Sequence, residues 1–176
     1  MFSIESCELP QEALLNSYSD SGAYTDCYRT EVPGCVTNTQ YVSAFYTTSL
    51  FKLERMILAR FVSKPSTDRE VEQLAAGSTN LFAAWQVESR VENQLLMSDF
   101  RGRTRSWFMA LPAGEDNDSG THLYFGSAVT TVPDQKTGKM TLGNGFRVLL
   151  GFHKIYSQLL LYSARLRLKA HSGGKG

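Results

Sequence analysis

The stretch from Gly145 to Ala170 constrains this chain more than any other. It is long, apolar over a wide arc and free of proline, so it predicts one C-terminal helix. At roughly 100° per residue, Phe146, Leu149, Leu150, Leu160 and Ala164 lie within about 60° of His153. Arg147, Lys154, Gln158 and Arg165 gather on the other side. A helix patterned in this way buries one face, and His153 sits near the centre of that face. The partner for it has to come from the elements that precede it.

Those elements read mostly as strands. Ala23–Val32 is a first strand, ended by the turn signal Pro33-Gly34. Thr39–Thr48 and Leu50–Val62 read as helices, the second with Leu50, Leu53, Ile57, Leu58 and Phe61 at helical spacing. Ser66-Thr67-Asp68 caps a short helix through Leu74, with Gly77 as its stop. Four strands follow at Leu81–Ser89, Gln94–Phe100, Arg103–Leu111 and His122–Val132. The short connections between them, such as Arg101-Gly102, imply antiparallel hairpins. Residues Pro10–Ser21 read as an irregular arm with one helical turn. Thr137-Gly138 marks a turn before the last helix. The order predicts one α+β domain, a curved antiparallel sheet gripping the long C-terminal helix.

Composition excludes several classes. Eighteen basic and 17 acidic residues leave a net charge of +1, with no basic excess for nucleic acid. Met1–Glu8 carries acidic residues and no apolar core, which predicts no signal peptide. Lys154, Ser157 and Gln158 interrupt the most apolar run, so no transmembrane segment is expected. Cys7, Cys27 and Cys35 form neither a paired framework nor a zinc pattern, and read as reduced thiols in a cytoplasmic chain. The three histidines lack metal-ligand spacing, so no metal or other cofactor is expected. Gly143-Asn144-Gly145 lacks the lysine and spacing of a phosphate loop, and there is no Gly-x-Ser-x-Gly elbow.

The element order resembles the START-like, helix-grip superfamily, also called polyketide-cyclase-like, and within it a bacterial family of unknown function. The resemblance rests on Tyr24–Val32, on the strands from Leu81 to Val132, and on Gly145-Phe146-Arg147 and Gly151-Phe152-His153-Lys154-Ile155-Tyr156. It implies an arm over residues 1–21, one domain over 22–170 and a flexible tail over 171–176. It also implies an apolar cavity between sheet and helix. Members of that superfamily bind lipids, hormones or polyketides, and some catalyse cyclisation or dehydration.

The residues expected to face a ligand are Tyr24, Asp26, Trp85, Arg105, Trp107, Tyr124, His153 and Tyr156. Tyr24, Asp26 and Tyr28 alternate on one face of the first strand, as Trp85 and Val87 do on the second. Tyrosine and tryptophan suit a cavity wall and suit an ordinary core equally. His153 is the candidate acid/base, its titration lying near neutrality, or else a structural histidine bonded to a carbonyl or hydroxyl. Asp26 would pair with it if the two met. Arg105, on the strand face of Trp107 and Met109, either clamps an anion or pairs with Glu88 or Asp99.

Three functions fit. The first is a module binding a small apolar or amphipathic ligand. The second is a cyclase or dehydratase using His153, with Arg105 as anion anchor. The third is a structural or partner-binding protein, with a homodimer contact on the basic, amphipathic stretch Leu50–Phe61.

Overall fold

The computed structural model describes residues 4–53, 66–114, 120–133, 140–142 and 144–172, and the side chains of the last segment from 150 to 170. Seven strands form one antiparallel sheet. They are β1 (Glu5–Ser6), β2 (Tyr24–Val32), β3 (Leu81–Phe82), β4 (Trp85–Val91), β5 (Gln94–Asp99), β6 (Thr104–Pro112) and β7 (Thr121–Val129), in the order β1-β2-β7-β6-β5-β4-β3. A separate two-stranded piece joins β8 (Val132–Pro133) to β9 (Met140–Thr141). The helices are α1 (Asn16–Asp20), α2 (Asn38–Tyr46), α3 (Asp68–Ala75) and α4 (Asn144–Ser172). Residues 49–53 are also helical. The long α4 packs against the sheet in a helix-grip arrangement, as the sequence predicts.

Local chemistry sets the boundaries. Thr37 caps α2 in a capping box with Gln40, and Thr67 caps α3 in the same way with Glu70. Gly77, at φ +79°, takes the left-handed position that stops α3. Gly102, at φ +66°, makes the tight turn between β5 and β6. The expected single strand from Leu81 to Ser89 is divided: Ala83 has φ +51°, and Leu81–Phe82 folds back antiparallel on Trp85–Gln86. Alternating apolar residues therefore describe a two-residue hairpin rather than one strand. The arm contains β1, which pairs with Tyr28 and Arg29 of β2. Two residues are too short for a periodic pattern, so composition gave no sign of it.

The sheet is covered on both faces. On the inner face Tyr28, Val32, Phe108, Phe125, Leu95 and Met97 meet α2, α3 and the second half of α4. Tyr41, Phe45 and Tyr46 of α2 pack with Phe51, Phe82 and Phe108, with ring centroids 4.7–6.4 Å apart and mostly edge to face. Each such pair adds ~0.5–1.5 kcal/mol beyond its buried area. At this end, aromatic side chains fill the space where the resemblance implies a cavity.

The outer face carries a second core, in which Cys27, Leu96, Trp107, Met109, Tyr124 and Ala128 meet Ala13 and Leu15 of the arm. One buried amide fastens the arm there. Gln94 Oε1 accepts from the Leu14 backbone N–H at 2.9 Å and from Trp107 Nε1 at 2.8 Å, while Gln94 Nε2 donates to the Glu12 carbonyl at 3.0 Å. Beneath Leu15 lies Gly126. A Cβ on Gly126 would stand 2.9 Å from the Asp26 carbonyl oxygen, 2.9 Å from Trp107 Cε3 and 3.0 Å from Leu15 Cδ2. The glycine lets arm and sheet approach.

Gly126→Ala is therefore expected to destabilise the fold by ~1–3 kcal/mol, measured by urea denaturation. In a loosely covered strand the same change would stabilise by ~0.5–1 kcal/mol through the unfolded chain. A rise in the denaturation midpoint would contradict the close approach.

Candidate functional site

The inner-face register brings polar groups to one spot. In the β2–β7 ladder Asp26 lies directly opposite Ser127. Two residues earlier, on the same face, stands Tyr24. The helix supplies the fourth member. Its inward residues Leu160, Leu161 and Ala164 belong to the core near Tyr28 and Val32, and Arg165 Nε donates to the Glu31 carbonyl at 3.1 Å. From His153 to Arg165 the helix rises about 18 Å at ~1.5 Å per residue. From Asp26 to Glu31 the strand advances about 17 Å at ~3.3 Å per residue. The two elements therefore run side by side in step, and the residue of α4 level with Asp26 is His153.

The Asp26 carboxylate is 7% exposed and the imidazole 23%. Oδ1 of Asp26 accepts from the Ser127 hydroxyl at 2.5 Å and from the Ser127 backbone N–H at 3.2 Å. Oδ2 accepts from the Tyr24 hydroxyl at 3.1 Å and lies 3.4 Å from His153 Nε2. The Ser127 oxygen is 2.8 Å from the same Nε2. Because the Ser127 proton points at the carboxylate, its oxygen receives from the imidazole, which assigns a hydrogen to Nε2. A buried carboxylate is costly unless donors surround it, and here two hydroxyls and a backbone amide donate to it with the imidazole nitrogen 3.4 Å away. The Tyr24 ring stands edge-on to the imidazole at 6.5 Å.

This geometry limits the chemistry. In a nucleophilic relay the two ring nitrogens face different partners, one the serine and the other the carboxylate. Here a single nitrogen meets both, and Ser127 is held as a donor to Asp26. The group is suited to hold a proton at the seam and to fix the imidazole, not to activate the hydroxyl. On the helix, Phe152, just before His153, and Tyr156, about one turn after it, stack with centroids 5.7 Å apart and ring planes 9° from parallel. They place an aromatic lip beside the polar group.

The residues expected to face a ligand divide between the two sides of the sheet. Tyr24, Asp26, His153 and Tyr156 lie at the helix seam. Trp85 packs against the inner core farther along the sheet. Trp107 and Tyr124 belong to the outer core beneath the arm. Arg105 shares that face: its Nε donates to Glu88 Oε2 at 2.9 Å, and its guanidinium lies 4.6 Å from the Tyr18 ring centroid. It thus takes the ion-pair alternative, on the side away from His153. The inward aim of Arg105 and Trp107 fails because strand parity fixes a face but not which layer covers it. Ser127 was not anticipated. A serine beside glycine in an otherwise apolar strand, Phe125-Gly126-Ser127-Ala128, is the signal that marks it. Of the amphipathic stretch Leu50–Phe61, residues 54–61 lie outside the described residues, and Phe51 is core. Phe146 and Leu149 likewise lie outside the described side chains.

Among the described residues, no group of three or more His, Cys, Asp or Glu is placed to hold a metal ion. No described helix is long and apolar enough to cross a membrane. Comparison with family models, with curated proteins and with solved structures finds no match.

Burial followed by the Asp26 charge raises the Tyr24 phenol above its ordinary value. The same two causes push Tyr28 up to about 12 against a hydrogen bond from Gln158. A phenol raised on folding contributes stability below its unfolded value, lost as pH climbs toward the folded value. Urea midpoints are therefore expected to fall as pH rises above about 10, and Tyr28→Phe to flatten that fall. An identical alkaline profile in the variant would contradict the burial of this hydroxyl beside Asp26.

Proposed function

We propose that this chain is a START-like domain that binds a small amphipathic molecule at the seam between β2 and the N-terminal half of α4. The observation that carries the reading is the set Tyr24, Asp26, Ser127 and His153. A seam between helix and sheet is closed most simply by apolar side chains. A carboxylate, a hydroxyl and an imidazole there, with the imidazole partly open to solvent, support recognition of a ligand's polar group. The Phe152–Tyr156 stack beside them supports contact with its apolar part. The aromatic packing of α2 favours a site at the His153 end of the helix over a cavity running its whole length.

A second reading, an acid/base enzyme of cyclase or dehydratase type, is favoured by one observation: His153 contacts a buried carboxylate rather than a backbone carbonyl. Its former anion anchor, Arg105, is not available to it, so the proton-bearing pair would act alone.

The test is binding of anilinonaphthalene sulfonate, an apolar anion, followed by fluorescence, together with mass spectrometry of the intact protein under native conditions. Saturable binding that weakens about ten-fold in His153→Ala, with Trp85→Phe unaffected, is expected. Absence of any saturable site, or equal affinity in the His153 variant, would remove the reading.

A further inference from the structure

Beneath the arm, on the face of β2 away from His153, two thiols meet. The β1–β2 register sets Glu5 opposite Arg29 and Ser6 opposite Tyr28, so Cys7 falls opposite Cys27. The Cys7 N–H donates to the Cys27 carbonyl at 3.0 Å, holding the two backbones together at this step. The sulfur atoms are 3.3 Å apart. Cys27 is buried and Cys7 half-buried, at the wall of a surface depression of about 360 Å³ that Glu8, Asn16 and Thr25 also line.

We propose that Cys7 and Cys27 are a two-thiol reaction site that a hydroperoxide entering this depression converts to a disulfide. Adjacent, facing cysteines on paired antiparallel backbones have the Cα and Cβ separations a disulfide needs, so closure takes a side-chain rotation and no rearrangement of the strands. Cys7 is the attacking sulfur because it alone of the pair reaches solvent. The contact with Cys27 and the charge of Arg29 hold its thiol below the ordinary value against burial, whereas the same contact and burial raise Cys27. In the first step Cys7 sulfur takes one peroxide oxygen, becoming a sulfenic acid, and the other leaves as water or alcohol. In the second, Cys27 sulfur attacks Cys7 sulfur and the hydroxyl departs with the Cys27 proton as water. Two thiols are oxidised and one peroxide bond is reduced. The product ties the arm to β2.

The experiment is intact mass and peptide mapping of the full chain after hydrogen peroxide, without reductant. The expected product has lost two hydrogens, keeps one free thiol, and yields a Cys7–Cys27 linked peptide. Cys35→Ser, which removes the exposed third thiol, retains that loss. Cys7→Ser and Cys27→Ser abolish it, and circular dichroism establishes that both fold. A product linked through Cys35, or Cys7 and Cys27 still alkylatable after Cys35 has oxidised, would overturn the assignment.

A different observation carries a second inference. The outward face of α4 is also apolar: Ile155, Leu159 and Leu166 are 61%, 41% and 48% exposed. At roughly 100° per residue they fall within an arc of about 40°, nearly opposite the buried Leu160, Leu161 and Ala164. Lys169 borders the stripe on one side, and Arg165 and Arg167 lie about 100° from its centre on either side. From 144 to 172 the chain has no Asp or Glu, although the whole chain is balanced at 18 basic and 17 acidic residues. We infer that this face docks on the surface of an anionic lipid bilayer. Exposures of this size describe a ridge, which lies against a flat surface rather than receiving a segment. A second copy would set cations against cations.

Co-sedimentation of the full chain with phosphatidylcholine vesicles, with and without phosphatidylglycerol, tests it. Binding is expected with phosphatidylglycerol, falling with salt and falling about ten-fold in Arg167→Glu/Lys169→Glu and in Ile155→Ser/Leu159→Ser. No binding, or equal binding to phosphatidylcholine alone, would overturn it. So would a dimer in light scattering that Ile155→Ser dissociates, which would give the stripe to a second copy.

Discussion

A carboxylate buried under a helix has to be met by donors, and Asp26 imposes that condition on three elements at once. It fixes the register of β2 against β7, because only the residue opposite can offer both a backbone N–H and a hydroxyl. It fixes the rotation of α4, because the imidazole must arrive at the level of Asp26. It fixes Tyr24, whose hydroxyl completes the set. Breaking one side of such a set leaves a charge without its partner, a costlier event than losing a methyl contact.

With the seam fixed, the rest follows from covering two faces of a seven-stranded sheet with one short chain. The helices close the inner face with aromatic side chains. The arm closes the outer face with only a two-residue strand and the five-residue α1 as regular structure. It depends instead on single contacts: the Gln94 amide, the missing Cβ of Gly126 and the two-residue strand β1. The sheet thereby separates two chemistries. Asp26 and His153 face the helix, while the neighbouring Cys27 faces the arm and Cys7.

Much of this was legible in the sequence. Helix periodicity placed α4 and the inward aim of His153, capping residues marked α3 at Thr67, and turn glycines marked the β5–β6 hairpin. Strand alternation put Tyr24, Asp26 and Tyr28 on one face. Alternation is blind to what covers a face, so Arg105, Trp107 and Tyr124 were assigned to the helix side when the arm covers them. Contacts distant in sequence were also hidden. Asp26 and Ser127 are 101 residues apart, and Cys7 and Cys27 meet only because β1, too short to show a pattern, pairs with β2. The odd number of cysteines argues against a paired framework, and it is the register of β1 that brings two of them together.

The central claim is that Asp26 and His153 are energetically one unit across the helix–sheet seam. A double-mutant cycle with Asp26→Asn and His153→Gln, read by urea denaturation near neutral pH, measures their coupling directly. Coupling of ~1–3 kcal/mol, with the double variant less damaged than the sum of the singles, is the predicted result. Additive losses would contradict it, and would mean that helix and sheet are held by the apolar core alone.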